Sequence, residues 1–522
     1  MNRWVALGVL LATGVALGLR CPHLGIRPMH NDEAVNAIKF GRLWEQGSYK
    51  YDPHEFHGPT LEYSSVLFGR LTAAPDFNRF SEIRLRAVTV VFGLGLILLL
   101  PLLRDALGSK ALLWGALLAA VSPAFVFYSR YYIHEMLLVF FTFLAVAASW
   151  RYWRSRKIGW ALLAGLALGL MHATKETFVI CLAAIVLALA CNQVWNRVFD
   201  ASKEPTKAAP LNYFHATATI AVWLGVALIF FSSFFSNAQG IVDSFRTYGS
   251  WFHRASGESP HIYPWNFYFQ RLLFFHPRGG PAWSEGLIAV LASVGAVAGF
   301  ARRGLSEANA SFVRFLALYT FILAAMYSVI SYKTPWCLLG FWHGAILLAG
   351  VGAAVLVTAA KYQWARLGMR CALGLGLIQL GAQAWQASAS EQLCASPRNP
   401  YVFAQTLPNI LQLVAKVEAI TASQSSGRHT LIKVLAPEND FWPLPWYLRS
   451  YDHVLLGDRI PDDPFAPLMI VSAQFDARLD QDKTHLMTGL FEMRPGVFFE
   501  LYIELNVWKA YLAKNPPVPE RE

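Results

Sequence analysis

Charged residues are scarce in this chain, and their scarcity excludes an ordinary soluble protein of this size. Asp, Glu, Lys and Arg make up only 15% of the 522 residues, whereas soluble domains carry about 25%. Hydrophobic residues reach 55%, and several apolar runs have the roughly 18 or more residues that a helix needs to cross a bilayer. The composition therefore predicts an all-α, multi-pass membrane protein.

Cysteine pairs and internal repeats are also missing. The six cysteines form no CxxC pair, and most lie in or beside apolar runs, so neither a zinc site nor a disulfide framework is predicted. Cys21 and Cys394 are expected on the same side of the membrane, which leaves a bridge between them open. The lack of repeats argues against a secondary transporter built from two related halves.

A continuous basic surface is absent as well, although the net charge is +11. The Lys and Arg residues sit in short clusters between apolar runs. That pattern is typical of membrane topology and not of nucleic-acid binding. Nucleic acid is therefore excluded as an expected partner.

Eleven apolar segments are predicted as transmembrane helices. The first begins with a basic residue like a signal peptide, but its cleavage site is weak, so a retained helix is expected. The eleven segments lie at about 4–20, 86–103, 111–128, 133–150, 158–173, 176–194, 214–236, 284–301, 311–330, 337–359 and 367–386.

The basic clusters predict an orientation in the plasma (inner) membrane. With eleven helices, the clusters at 151–157, 302–303 and 361–370 fall on one side, and the positive-inside rule makes that side cytoplasmic. The N-terminus is then cytoplasmic. A first outer loop at 21–85 and an outer loop at 237–282 lie outside.

The chain changes character after residue 387. Thr406–Ile420 has helical periodicity, while Leu431–Leu435, Leu468–Ser472 and Phe491–Leu505 have strand patterns. Residues 388–522 are therefore expected to form a small extracytoplasmic α/β domain after a transmembrane domain at 1–387. The 237–282 loop is amphipathic and aromatic, which suits a segment at the membrane surface or a plain connector.

An adjacent acid pair, Asp32-Glu33, follows the first predicted helix. One interpretation is a general base for an acceptor hydroxyl, or a metal ligand, oriented by its neighbour. The other is a solvated pair that caps a helix beginning near Ala34, with Asn31 or Asp32 at the N-cap. His57-Gly58-Pro59 follows, and its tight turn either presents His57 and His54 to the membrane face or fixes the height of the loop.

Short outer breaks in the apolar pattern each bring a cation to the interface. Arg130, Lys175 and Lys333 occupy three of them. Ionisable groups at that depth usually have a function or a partner, although snorkelling is the better explanation for any one of them alone. Together they predict a site for a phosphate leaving group on a lipid. The substrate-binding candidates are His57, Arg84, Arg86, Arg130, Glu135, Lys175 and Lys333.

These motifs resemble the C-type glycosyltransferases, which are related to dolichyl-phosphate-mannose protein mannosyltransferases. Within that superfamily the chain is most similar to the flippase activity-associated protein family. The resemblance rests on the acid pair, HGP at 57–59, YKTPW at 332–336, NPYV at 399–402 and WPLPWYLR at 442–449. It therefore extends from the first loop into the last domain.

The resemblance implies an inverting transfer of a sugar from a polyprenyl-phosphate donor to an acceptor hydroxyl on a protein, lipid or glycan. Asp32 would be the catalytic base and Glu33 its partner. Some superfamily members need a divalent metal, so a metal stays open, with Asp32, His54 and His57 as candidate ligands. The alternative function is a non-catalytic accessory or scaffold for flipping lipid-linked glycans.

Overall fold

The computed structural model of the protein describes residues 3–54, 57–74, 76–199, 212–255, 261–481 and 483–516. Every predicted apolar segment overlaps a helix. The helices before the C-terminal domain are α1 (Arg3–Arg20), α2 (Asn31–Gln46), α3 (Thr60–Leu71), α4 (Glu82–Leu99), α5 (Arg104–Leu107), α6 (Ser109–Val121), α7 (Pro123–Ser129), α8 (Glu135–Ser155), α9 (Ile158–His172), α10 (Phe178–Phe199), α11 (Tyr213–Phe231), α12 (Gln239–Ala255), α13 (Phe267–Leu273), α14 (Gly286–Ala301), α15 (Ala310–Val329), α16 (Leu339–Ala359) and α17 (Gln363–Ala389).

The protein is a multi-pass membrane protein, but the count of eleven crossings stays a prediction. By length and composition, seven helices of the described chain can cross a membrane, or eight if α6 and α7 form one bent span. Those two helices meet at 58°, because Pro123 starts a new helix and lacks the N–H that would continue the first one. α9 and α14 are apolar but have only 15 and 16 residues.

Close helix crossings hold the bundle together. α14 and α16 meet at Gly295 and Gly352, where an added Cβ would lie 2.1 Å from the Leu348 oxygen and 1.9 Å from the Leu291 oxygen. Small residues of this kind let membrane helices approach backbone to backbone, since burial in lipid supplies little hydrophobic drive. Glycine at these two positions is therefore a packing requirement.

The bundle has two chemically different ends. At one end, Asp105 contacts Arg151 and Arg154 at 3.2 Å, and the Asn309 N–H donates to the Ala106 carbonyl. These contacts bring the basic connections together. The other end carries α2 and α3, so the predicted first outer loop is largely a helical layer.

A small sheet domain follows the bundle, as predicted. Its sheet has the order β2-β1-β3-β5-β4, with β1 parallel to β2 and β3 and the remaining pairs antiparallel. The short edge strand β2 was not predicted, because Leu455 and Leu456 on it are exposed and give no burial pattern. The elements are α18 (Asn409–Ala422), β1 (Ile432–Leu435), α19 (Leu444–Tyr447), β2 (Val454–Gly457), β3 (Leu468–Ser472), β4 (His485–Arg494), β5 (Val497–Glu504) and α20 (Leu505–Lys514).

The 442–449 motif fixes the sheet domain to the first outer segment, through residues just before α2 and at the start of α4. Trp446 is fully buried, and its indole N–H donates to Glu82 at 2.9 Å. The Met29 N–H donates to the Tyr447 hydroxyl at 2.9 Å, and Arg449 donates to the Phe80 carbonyl at 2.7 Å. Cys21 and Cys394 are both free thiols, so the bridge that was left open is not formed.

Candidate active site

A cavity of about 450 Å³ lies between the helical bundle, the layer of α2 and α3, and the sheet domain. Two walls of it are polar and one is apolar and aromatic. The lining residues used below are Asp32, His57, Glu135, Lys175, Glu176, Ile180, Tyr268, Tyr327, Ile330, Trp336, Cys337, Glu438, Asn439, Asp440 and Trp442.

Asp32 reaches this cavity from the first turn of α2. The helix begins three residues earlier than Ala34, and its N-cap is His30, whose Nδ1 accepts from the Asp32 N–H at 3.1 Å. The His30 Nε2 lies 3.1 Å from the Phe403 carbonyl, so it donates there and leaves Nδ1 free to accept. No described group forms a hydrogen bond or ion pair with the Asp32 carboxylate, which is partly exposed to the cavity.

Glu33 points away from the cavity into the protein interior. Its two oxygens accept from Arg86 Nε at 2.8 Å and Nη2 at 2.7 Å, and both side chains are fully buried. They also accept from the N–H groups of His30 at 3.0 Å and Tyr132 at 2.9 Å. Glu33 therefore completes a capping box with His30 and an ion pair with Arg86. The helix-capping interpretation was wrong in detail, because it expected a solvated pair with Asn31 or Asp32 at the N-cap.

The electrostatics of Glu33 follow from these contacts. Burial on its own would raise the pKa of Glu33, but the charge and hydrogen bonds of Arg86 outweigh burial. The pKa of Glu33 consequently lies well below its usual range, at about 2. A carboxylate held in this way has no free lone pair directed at a substrate, and its role as a partner in catalysis stays a prediction without a contact to Asp32.

The predicted convergence of cations on the cavity is not what the described chain shows, because several of the cations bind backbone carbonyls. Arg86 donates to the carbonyls of Leu24 and Arg27 as well as to Glu33. Arg130 donates to four carbonyls at the end of α1, including Pro22 at 2.5 Å and His23 at 2.9 Å. Cations satisfy the orphan carbonyls of a helix C-terminus in this way.

Lys333 and Arg84 also lie outside the cavity lining. The Lys333 ammonium donates to the carbonyls of Ile330 and Tyr263, which closes the end of α15. The Arg84 guanidinium lies 5.5 Å from the centre of the Phe80 ring. Sequence position brought these residues to the correct end of the bundle, but whether a long side chain turns to a cavity or to a carbonyl depends on packing.

Lys175 is the predicted cation that does reach the cavity. Its ammonium donates to Glu135 Oε1 at 2.5 Å, and both side chains are nearly buried. Burial alone would lower the pKa of Lys175, but the Glu135 carboxylate outweighs it and raises the pKa above its ordinary value. Lys175 is therefore charged, and the predicted substrate-binding pair of Glu135 and Lys175 lies together on one wall.

His57 forms the second polar pair of that wall. Its Nδ1 lies 2.9 Å from Glu176 Oε2, and burial lowers the pKa of His57 more than Glu176 raises it. The neutral imidazole therefore donates from Nδ1 to Glu176, and its Nε2 is left as a hydrogen-bond acceptor. Glu176 was not predicted, although its place directly after Lys175 was the available signal.

Gly58 explains how His57 is presented. The Gly58 N–H donates to the Thr174 carbonyl at 3.0 Å, and a Cβ on Gly58 would lie 2.2 Å from the Ala173 oxygen. Pro59 then starts α3. The HGP turn thus joins the first outer layer directly to the Lys175 segment and brings His57 to Glu176.

A metal site is not assembled from the predicted ligands. His54 is exposed, and its Nδ1 contacts Ser250 Oγ at 3.0 Å outside the cavity lining. In the part of the chain that the structure describes, no three His, Cys, Asp or Glu side chains could hold a metal ion together. Asp32 and His57 share the cavity as two of the three candidates.

The sheet domain supplies a cavity wall that the sequence did not reveal. Glu438, Asn439, Asp440 and Trp442 come from one loop after β1. Arg494 on β4 pairs with Asp440 and donates to the Trp442 carbonyl, so the loop is held in place. Trp442 opens the recognised tail motif at 442–449, and the polar residues Glu438, Asn439 and Asp440 just before that motif were the available signal.

Comparison with known proteins adds a family match and several structural matches. A family model described as dolichyl-phosphate-mannose-protein mannosyltransferase matches residues 65–239, whereas no curated protein matches the chain by sequence. ArnT from Cupriavidus metallidurans bound to undecaprenyl phosphate aligns with a TM-score of 0.62 at 13% identity, over 97% of this chain and 99% of that chain.

Two archaeal structures align over most of the chain as well. An oligosaccharyltransferase from Archaeoglobus fulgidus tethered with an acceptor peptide gives a TM-score of 0.55 at 11% identity, over 97% of this chain and 75% of that one. AglB from the same organism, in complex with an inhibitory peptide and a dolichol-phosphate, gives 0.52 at 11% identity, over 97% and 77%. At these identities the alignments establish the fold.

The predicted fold class is thereby confirmed, including the small C-terminal sheet domain. The resemblance to the superfamily agrees with the family match over residues 65–239 and with the shared fold. The narrower assignment to the flippase activity-associated family is not confirmed.

Proposed function

Because the chain has the fold of the C-type glycosyltransferases, we propose that it transfers a sugar from a polyprenyl-phosphate donor to an extracytoplasmic acceptor hydroxyl. One observation carries the proposal. A single cavity joins Asp32, a carboxylate without a partner among the described residues, to a charged lysine, Lys175. A base and an anion-binding group in one chamber are the two elements that such a transfer requires.

The donor fits the wall formed by the bundle. Ile180, Tyr268, Tyr327 and Ile330 line the cavity beside Lys175, so the first isoprene units would meet apolar side chains while the phosphate meets the ammonium. Lysine is a common point-charge ligand for phosphate. The solved structures with undecaprenyl phosphate and dolichol-phosphate share this fold, which supports a lipid of that class.

The chemistry is a single in-line displacement. The acceptor hydroxyl gives its proton to the Asp32 carboxylate, and its oxygen attacks the anomeric carbon. The bond from that carbon to the phosphate oxygen breaks, and its electron pair stays on the phosphate. Lys175 stabilises the charge that develops there, which is typically worth a few kcal/mol per group, about 3. Attack opposite the leaving group inverts the anomeric centre.

The acceptor fits the opposite wall. The loop 438–442 of the sheet domain faces the cavity together with Asp32. Carboxylates and the amide of Asn439 accept hydrogen bonds from hydroxyls, and Trp442 offers a flat apolar face. An acceptor on a protein, a lipid or a glycan can enter along this loop.

The proposed orientation places the cavity outside the plasma membrane. The basic connections meet at the bundle end around Asp105, while Asp32 and the sheet domain are at the other end. The positive-inside rule assigns the basic end to the cytoplasm. The N-terminus is then cytoplasmic and the sheet domain extracytoplasmic.

A non-catalytic scaffold for lipid-linked glycans is the alternative, and Asp32 distinguishes the two. A protein that only binds an anionic lipid gains nothing from a free carboxylate in the same chamber, because like charges repel. Asp32→Asn should lower transfer from a labelled polyprenyl-phosphate sugar by about 10²–10⁴-fold. Binding of undecaprenyl phosphate should be retained.

The matched comparison is Lys175→Gln, which should weaken lipid-phosphate binding itself. Unchanged turnover in the Asp32 variant would remove this residue from the mechanism. Lipid binding without any detectable transfer by the unmodified protein, across a panel of polyprenyl-phosphate sugars and acceptors, would favour the scaffold.

A further inference from the structure

The basic groups that line the cavity, among the described residues, are already matched by carboxylates. Lys175 pairs with Glu135 and His57 pairs with Glu176. The wall assigned to the phosphate therefore carries no surplus positive charge. An incoming phosphate would meet two carboxylates along with the single ammonium, and like charges in contact disfavour each other strongly away from bulk water.

The Lys175–Glu135 pair is built so that it can open. Glu135 uses one oxygen, Oε1, for Lys175, and the Cys337 thiol lies 3.6 Å from the same oxygen. No described group forms a hydrogen bond with Oε2. Glu135 is the first residue of α8, so its side chain is not enclosed by a preceding helical turn.

The partner side of the pair is more firmly held. Lys175 lies in the short connection between α9 and α10. The Gly58 and Thr60 N–H groups, in and just after the HGP turn, donate to the Thr174 and Ala173 carbonyls of this connection. Glu176, the next residue, adds a second negative charge that acts on Lys175. Lys175 therefore keeps a neighbouring carboxylate if Glu135 moves away.

We infer that the Glu135 carboxylate occupies the anion position of Lys175 in the free protein and is displaced by the phosphate of the lipid. Glu135 is then a positioning residue that keeps the ammonium charged and in place between turnovers. It also competes with the phosphate, which helps the lipid phosphate to leave after transfer. This inference rests on the proposed function, since it assumes that the cavity binds a lipid phosphate.

If the Glu135 carboxylate competes with the phosphate, removing its charge should strengthen phosphate binding. A residue that simply binds the donor would show the opposite effect. Glu135→Gln keeps the size of the side chain and removes its charge. The affinity of the full-length protein for farnesyl phosphate, a short polyprenyl phosphate, should rise by about tenfold. If Glu135 instead helped to bind the donor directly, the same change would weaken binding.

The experiment measures the dissociation constant of farnesyl phosphate for the purified full-length protein, for Glu135→Gln and for three comparison variants. Lys175→Gln should bind at least about tenfold more weakly than the unmodified protein. The double variant Glu135→Gln with Lys175→Gln should behave like Lys175→Gln, because there is no ammonium left to free. Glu45→Gln removes the same charge from an exposed position outside the cavity lining and should change binding by less than about twofold.

A second measurement covers the case in which Glu135→Gln does not fold, since removing one partner of a buried ion pair is strongly destabilising. In a structure of the unmodified protein with farnesyl phosphate, the phosphate should contact Lys175 Nζ and the Lys175–Glu135 contact should be open. A closed pair with the phosphate bound elsewhere overturns the inference.

The outcomes separate the inference from the proposed function. Tighter binding by Glu135→Gln supports the inference. Equal or weaker binding by that variant, with normal binding by the unmodified protein, overturns the inference and leaves the transferase proposal standing. Failure of the unmodified protein and every variant to bind farnesyl phosphate and undecaprenyl phosphate overturns both.

Discussion

Two neighbouring residues of α2, Asp32 and Glu33, stand in opposite surroundings. Glu33 is fully buried, and both its oxygens are bound by Arg86 and by backbone N–H groups. Asp32 faces the cavity and has no partner among the described groups. A helix turns its successive side chains by about 100°, and this turn directs Glu33 away from the side of α2 that faces the cavity. Glu33 therefore stabilises the structure, and the proposed chemistry falls to Asp32.

The same contrast separates the basic residues. Arg86 and Arg130 direct their donors to backbone carbonyls of the first outer segment and the end of α1, where they hold chain segments together. Among the described residues, Lys175 and His57 pair with side-chain carboxylates on the cavity wall. A satisfied, buried charge indicates a structural role, whereas a charge whose partner can be exchanged indicates a binding role.

Glu33→Gln should break the structural half of this comparison and give the largest loss of stability. The substitution leaves Arg86 buried and charged without its counter-ion, and the loss of one partner of a buried pair costs about 3–5 kcal/mol. Thermal or denaturant unfolding of the purified protein measures the difference.

Asp32→Asn is the matched control, because it makes the same chemical change one residue away. The Asp32 carboxylate has no partner in the described part of the chain, so the unfolding free energy of this variant should stay within about 0.5 kcal/mol of that of the unmodified protein. Equal losses of stability in the two variants would contradict the division between the residues.

Acid should weaken the same buried pair. The pKa of Glu33 in the folded protein is depressed to about 2, against about 4.3 in an unfolded chain. Its stabilising contribution is therefore complete above about pH 5 and is lost as the pH falls toward 2. The unfolding temperature of the unmodified protein should drop through this window.

Other carboxylates titrate in that window as well, including Glu176, whose pKa is also depressed. The difference between the unmodified protein and Glu33→Gln isolates Glu33. That difference should shrink as the pH falls from 5 to 2. A difference that stays constant with pH would show that Glu33 is not the ionised partner of Arg86.

Gly58→Ala should disturb the cavity half of the comparison through packing. Its new methyl group would lie 2.2 Å from the Ala173 oxygen, so the HGP turn must move away from the Lys175 segment. We expect a loss of stability of about 1–3 kcal/mol and a fall in kcat, because His57 and Lys175 shift relative to each other.

Gly249→Ala provides the control for that change. Gly249 lies in α12, and no atom lies within 4 Å of an added Cβ, so Ala should be tolerated there. Comparable losses in both variants would mean that the loss in Gly58→Ala comes from glycine replacement in general and not from the contact with Ala173.

Local patterns made much of the fold predictable. Apolar length marked the eleven predicted segments, and short buried apolar runs marked β1 and β3, because burial in lipid or in a sheet core dictates residue type over a whole segment. The positions of Asp32, His57, Glu135 and Lys175 at one end followed from the same segmentation. The cavity that joins these residues could not be predicted from the positions of the helical segments.

Side-chain direction could not be predicted in the same way. Glu33, Arg86, Arg130 and Lys333 lie at the correct end of the bundle, but each is used by a carbonyl or an ion pair formed with a distant segment. The loop at 438–442 reaches the cavity only because the sheet domain docks on the first outer layer. Such contacts depend on tertiary packing, which leaves no periodic trace in the sequence.

Weakening the contact between the sheet domain and the first outer segment should give the smallest change in stability. This contact belongs with the structural residues of the comparison. Trp446→Phe keeps an aromatic ring in the interface and removes the indole N–H that donates to Glu82 at 2.9 Å. Loss of one such bond should cost about 1 kcal/mol. The interface also orders the Met29 N–H through Tyr447, so hydrogen exchange at Met29 should accelerate.

Trp508→Phe, on α20 beside Tyr511, tests the same domain away from the interface and should leave Met29 exchange unchanged. Faster exchange in both variants would assign the effect to the sheet domain as a whole and not to the interface formed by the 442–449 motif.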